Sequence, residues 1–250
     1  MVEIGQTALR QKGGCIHFGH IVVERAMTNI ELLNGVSWHL ECMVLAAGAI
    51  DNFRPPADGF QMRMHYSLYL TNLMSAIDMV CESYGNPFQT ALKDGLRTSN
   101  FSGTDVLGYI RELRNGVLHR GTDPTSDGVV VDGIVCAMAP PTVQNRSGSL
   151  SYAAPAPLLR DIFVHCEVTT KPIIEHFLES GFEEIASVKP ERLLTDLLIT
   201  IEAAPHVPSW AKTMAREHIH IEPNVLADAQ NHYIEKLRGL LKLSGGQRIA

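Results

Sequence analysis

The sequence contains no C-x-x-C pair, no H-E-x-x-H, no G-x-S-x-G and no Gly-Lys followed by Ser or Thr. Each absence removes a chemistry. Without paired cysteines there is no zinc ribbon, and the five that exist (Cys15, Cys42, Cys81, Cys136, Cys166) are odd in number and too scattered for a disulfide framework. Without the other motifs there is no zincin helix, no nucleophile elbow and no Walker A cradle for phosphates. Basic residues are not in excess either: 21 Lys and Arg stand against 27 Asp and Glu, a net charge of −6. Such a balance disfavours a protein that coats duplex DNA non-specifically, while leaving room for a local basic site. The longest apolar run, Met43 to Ile50, falls far short of the roughly 20 residues a membrane-spanning helix needs. The opening Met1-Val2-Glu3-Ile4-Gly5 has no basic n-region and no apolar h-region, so no signal peptide is expected and the chain is expected to be cytoplasmic, with reduced thiols.

What is present is helical period. Val22, Val23, Ala26, Ile30, Leu33, Val36, Leu40, Val44 and Leu45 recur at three- and four-residue steps and predict a helix over 19–52, closed by Arg54-Pro55-Pro56. A second helix is expected over 60–84, with Met64, Leu68, Leu73, Ile77 and Val80 on its buried face and Gly85-Asn86-Pro87 at its end. A short helix over 88–96 follows, then one over 105–118 with an N-cap in Ser102-Gly103-Thr104 and a stop at Asp123-Pro124. The β-branched run from Gly128 to Ala137 predicts a strand, and residues 149–153 its partner, so 128–155 is expected to be one inserted hairpin. Helix resumes at 157–181, with Pro157 in the first turn, and again at 191–203, 209–218 and 224–243. The expected fold is all-α with a small inserted β-hairpin and extra C-terminal helices.

Two other features carry no function. Leu243-Ser244-Gly245-Gly246-Gln247-Arg248 matches the signature loop of ABC-transporter ATPases, but that loop works only beside a Walker A element, which is missing; it reads as a glycine-capped helix end. The histidine pairs (His17 with His20, His39 with Cys42, His218 with His220 near His206) do not make a zinc ligand set, so no metal and no cofactor is expected.

The segment Arg114-Asn115-Gly116-Val117-Leu118-His119, at the end of an amphipathic helix and followed by Arg120-Gly121, is different. It resembles the R-x4-6-H signature of the HEPN superfamily (higher eukaryotes and prokaryotes nucleotide-binding domains), in which a polar residue often follows the arginine. The resemblance covers about residues 16–185, with 128–155 as the insertion and 186–250 as a helical extension packed on the domain. It implies an up-down helical bundle, and a metal-independent endoribonuclease that works as a homodimer and leaves a 2′,3′-cyclic phosphate. Toxins of toxin–antitoxin pairs and antiviral defence effectors are common bearers of this motif. Arg114, Asn115 and His119 are then the catalytic residues.

The chemistry suits those types. Histidine transfers protons near neutrality, and a permanently charged arginine fork matches the oxygens of a developing phosphorane. Arg111 and Arg120 flank the motif as further phosphate-binding residues. On an ideal helix Arg114 and His119 stand about 140° apart, so their convergence requires the last turn to unwind near Gly116 and Gly121.

Arg160 to His165 repeats the spacing but receives a structural reading, since Asp161 suits a first turn and Ile162, Phe163 and Val164 look like core. The same could hold for the first motif, because cations complement a helix C-terminus. The alternatives are a non-catalytic HEPN-like module that binds nucleotide, RNA or a partner such as a nucleotidyltransferase, and a plain helical interaction protein with an apolar dimer face.

Overall fold

The structure is a computed structural model that describes residues 27–218 and 222–242. Among them are eight α-helices and two two-stranded antiparallel sheets: α1 (Asn29–Ile50), α2 (Gly59–Tyr84), α3 (Asn86–Leu96), α4 (Gly103–His119), β1 (Gly128–Val131), β2 (Ile134–Ala137), β3 (Thr142–Gln144), β4 (Ser151–Ala153), α5 (Leu159–Ser187), α6 (Pro190–Ala203), α7 (Ser209–His218) and α8 (Pro223–Lys242). His17, His20, Cys15 and His220, the expected helical residues before 27, and the glycine-rich stretch from Leu243 lie outside the described residues.

The expected first helix does not run unbroken from 19. Thr28 is extended and caps α1: its Oγ1 accepts the Glu31 N–H at 3.3 Å, and Glu31 Oε2 accepts the Thr28 N–H at 2.9 Å. This reciprocal pair satisfies two otherwise orphaned donors, which fixes the start. Asp58 does the same for α2, with Oδ1 accepting from Phe60 and Gln61.

The buried face of α2 is wider than its aliphatic residues suggest. Leu73, Ile77 and Val80 are buried as expected, but Met64 and Leu68 are exposed, and Tyr66, Tyr69 and Leu70 take the core instead. Two tyrosines go inside because their hydroxyls find partners: Tyr66 Oη accepts the Ala137 N–H at 3.1 Å, and Tyr69 donates to Glu167 Oε1 at 2.7 Å. On α1, Ile30 and Leu45 are exposed, while Leu32, Leu33, Val36, Leu40 and Met43 are buried.

The expected single hairpin is two. Asp132 and Gly133 both have positive φ (52° and 77°), so the β-branched run turns back on itself and Val131 pairs with Ile134. Asp-Gly is favoured in this tight turn because both central residues must be left-handed. Residues 151–153 therefore pair with β3, Thr142 opposite Ala153 and Gln144 opposite Ser151.

Pro157 is likewise not in the first turn of α5. Its carbonyl accepts the Ala139 N–H at 2.8 Å, and Leu158 is bridged to Met138, so the chain stays extended to that point. At its other end α5 runs past the expected stop at Gly181 to Ser187, because Phe182 and Ile185 are buried there. Burying two such side chains contributes about 1.5–3 kcal/mol each, against ~1 kcal/mol for a helical glycine.

One core joins α1 to α5 with β2 and the loop after it, and α8 adds Ile234, Leu237, Leu240 and Leu241 to it. Arg160 and His165 are structural as expected: Arg160 Nε meets Asp51 Oδ1 at 3.1 Å, and His165 Nε2 meets the Leu96 carbonyl at 3.2 Å. Ile162 and Phe163 are core, whereas Val164 is half-buried. No helix among the described residues is long and apolar enough to cross a membrane.

The helix that carries the motif is positioned by α3. A Cβ on Gly103 would stand 1.7 Å from the Lys93 carbonyl oxygen, a backbone atom that cannot move aside cheaply. Gly103→Ala is accordingly expected to cost about 3 kcal/mol through overpacking, read as a lowered midpoint in urea.

Candidate functional site

Helix α4 begins where Ser102 Oγ accepts the Asp105 N–H at 3.1 Å, and it ends where the N–H groups of Arg120 and Thr122 both converge on the Gly116 carbonyl (3.0 and 3.1 Å). Gly121 supplies the left-handed residue, φ 71°, that lets the chain fold back. The helix is regular through His119, so the unwinding that convergence of Arg114 and His119 requires does not occur. On this helix they remain about 140° apart.

A different grouping forms instead. Arg111, Asn115 and His119 follow one another at i, i+4 and i+8, which stacks them as a row on the outer side of α4. Arg114 lies beside the row, turned toward α2. There Asp78 takes both arginines, Oδ1 to Arg111 Nη2 and Oδ2 to Arg114 Nη2, each at 3.2 Å. Two guanidiniums on one carboxylate leave one net positive charge. Arg114 Nε is buried without a hydrogen-bond partner, and His119 is exposed with no side-chain hydrogen bond among the described residues.

The far flank is neutral. Arg120 folds back on α4, with Nη1 and Nη2 each 3.2 Å from Glu112 Oε2 and Nη2 also donating to the Glu112 carbonyl at 2.6 Å. Asn115 Nδ2 donates to Glu112 Oε1 at 3.4 Å, linking the row to this pair. The expected site residues thus divide: Arg111 and Arg114 meet on Asp78, Asn115 and Arg120 meet on Glu112, and His119 stands alone. No family model matches the chain, and no curated protein or solved structure matches it either. The site is therefore read from its own chemistry.

A cleft of about 440 Å³ opens on the Glu112 side, between Glu112, Gly116 and Arg120 on one wall and Thr142, Val143 and Gln144 of β3 on the other. The hairpin is held there by Tyr109, whose hydroxyl donates to the Pro140 carbonyl at 2.9 Å; burial pushes that phenol well above its ordinary range and keeps it a donor. Close packing of Gly108 against the Tyr152 ring completes the seat. Among the described residues no three His, Cys, Asp or Glu side chains gather as metal ligands do; His39 pairs with Asn72, Nδ1 to Oδ1 at 2.7 Å.

Neither Asp78 nor Glu112 is signalled by the sequence, since each acts through a partner at a distance that only packing sets. Asp78 belongs to α2, and its two arginines come from α4. Replacing it with Asn removes the one carboxylate that neutralises them. The pair with Arg111 is exposed and the pair with Arg114 only part-buried, so Asp78→Asn is expected to lower the melting temperature by no more than a few degrees. Freed of that carboxylate, the two guanidiniums are expected to bind inorganic phosphate more tightly and with a steeper dependence on KCl. An unchanged salt slope would mean that these arginines meet no phosphate.

Proposed function

We propose that this chain is a metal-independent endoribonuclease of the HEPN type, with an HEPN-like up-down bundle, acting as a homodimer. The observation that carries the reading is the row Arg111–Asn115–His119, with Arg114 at its side and an exposed imidazole at its end. In this mechanism a histidine accepts the 2′-hydroxyl proton, the 2′-oxygen attacks phosphorus, and the P–O5′ bond breaks. A second proton donor supplies the 5′-oxygen, leaving a 2′,3′-cyclic phosphate. One row presents one histidine, so the histidine of a second copy serves as the acid. Arg111 and Arg114 offset the charge that develops on the phosphorane oxygens, and Asn115 orients the substrate.

One observation favours the other reading, a non-catalytic module that binds RNA or nucleotide. All three guanidiniums already hold carboxylates, and α4 keeps Arg114 and His119 on different faces. Incubation of the purified protein with RNA in EDTA decides between them. Cleavage with cyclic phosphate ends is the expected result; binding without cleavage by a folded, dimeric protein would establish the module.

A further inference from the structure

The free edge of β3 borders the cleft. The Asn145 N–H bonds to the Leu150 carbonyl and the Ala154 N–H to the Pro141 carbonyl, so the ladder with β4 uses the odd-numbered residues of this strand. By the alternation of an antiparallel pair, the N–H and C=O groups of Thr142 and Gln144 point away from β4. None of them carries a hydrogen bond among the described residues, and both residues line the cleft. A strand edge of this kind presents a donor and an acceptor side by side. That is the pattern that a nucleobase matches with its own hydrogen-bonding edge, and the Gln144 amide adds a second donor–acceptor set.

The walls suit the rest of a base. Leu113 and Val143 are buried beneath the cleft and make its floor apolar, and Arg120, immobilised by Glu112, is a planar cation of the kind on which bases stack. The spacing to the phosphate-binding side also fits. Glu112, Gly116 and Arg120 form the row next to Arg111, Asn115 and His119, about a quarter turn away on a cylinder of ~10 Å diameter, roughly 8 Å along its surface. A nucleotide spans such a separation between base and phosphate.

We infer that the cleft between α4 and β3 is a nucleobase pocket that selects the nucleotide held against the Arg111–Asn115–His119 row. This rests on the proposed action on RNA, and it assigns the choice of sequence to the second hairpin. The test measures binding of short RNA homopolymers of each of the four bases by fluorescence anisotropy. The variants are Gln144→Pro, which deletes an outward N–H that the ladder does not use, and Thr142→Trp, which fills the cleft; proline is tolerated at such an edge. Wild type is expected to favour one homopolymer about tenfold over the poorest, the scale of one good base contact. Both variants, with unchanged circular dichroism, should reduce that ratio toward one, whereas Arg111→Ala should weaken all four homopolymers alike. A preference that survives both variants, or wild-type binding with no preference, overturns the pocket and leaves the proposed function standing. Absence of RNA binding by the wild type overturns both.

Discussion

His119→Ala is expected to abolish RNA cleavage while leaving the protein as stable as the wild type. The imidazole is exposed at the end of α4 and makes no side-chain hydrogen bond among the described residues, so little of the fold depends on it. Its role at the helix terminus is an interaction of charge with dipole, worth less than ~1 kcal/mol when exposed. A positioned general acid or base, in contrast, contributes about 10²–10⁴ in rate. The measurement is single-turnover cleavage of a labelled RNA in EDTA, paired with thermal melts. Equal rates for the variant and the wild type would remove His119 from the mechanism. Arg114→Ala serves as the companion, because a lost phosphate contact should weaken RNA binding as well as turnover, and His119→Ala should spare binding.

The largest expected effect on stability comes from elsewhere. Lys171→Met is expected to destabilise the fold by ~3–5 kcal/mol, because Lys171 and Glu167 are an ion pair in the core, Nζ to Oε2 at 2.8 Å, with both side chains 2% exposed. Tyr69 donates to the other oxygen of Glu167 at 2.7 Å and stacks on Phe163 with ring centroids 4.1 Å apart. Removing the lysine takes away the ammonium that lies 2.8 Å from Glu167 Oε2, at a place where both side chains are 2% exposed. For a chain of this size the loss corresponds to a melting temperature lower by ~10 °C. Replacing both partners with Glu167→Leu and Lys171→Met is expected to recover most of the loss, since the cost lies in the buried charge more than in the missing attraction. A double variant no more stable than the single one would show that the pair is needed for the packing of α5 against α2.

The positions of most helices can be read from the sequence because their signals are local. The period of α2, the cap at Ser102 and the stop at Asp123-Pro124 act over a few residues, and the helices end close to where these marks lie. Where such reading falls short, a second signal competes. The Asp132-Gly133 turn sits inside a β-branched run that reads as one strand, and its left-handed geometry splits the run in two. Gly181 reads as a helix stop, yet Phe182 and Ile185 beyond it are buried, and their burial outweighs one glycine. Tyr66 and Tyr69 look too polar for a core until Ala137 and Glu167 are brought to their hydroxyls.

The candidate site divides along the same line. Composition, helical period and the run from Arg111 to His119 suffice to single out the end of α4 as the candidate site, because those residues lie on one helix and their spacing fixes their angular order. The pairing of Arg111 with Arg114 on Asp78 joins residues from α2 and α4, and the cleft needs a hairpin anchored by Tyr109. These depend on the packing of segments far apart in the chain, where distances of a few ångströms decide whether a charge is free or bound. Local spacing carries no information about such distances, so tertiary structure alone settles which cations of the motif are held by a carboxylate and which group, His119, remains open.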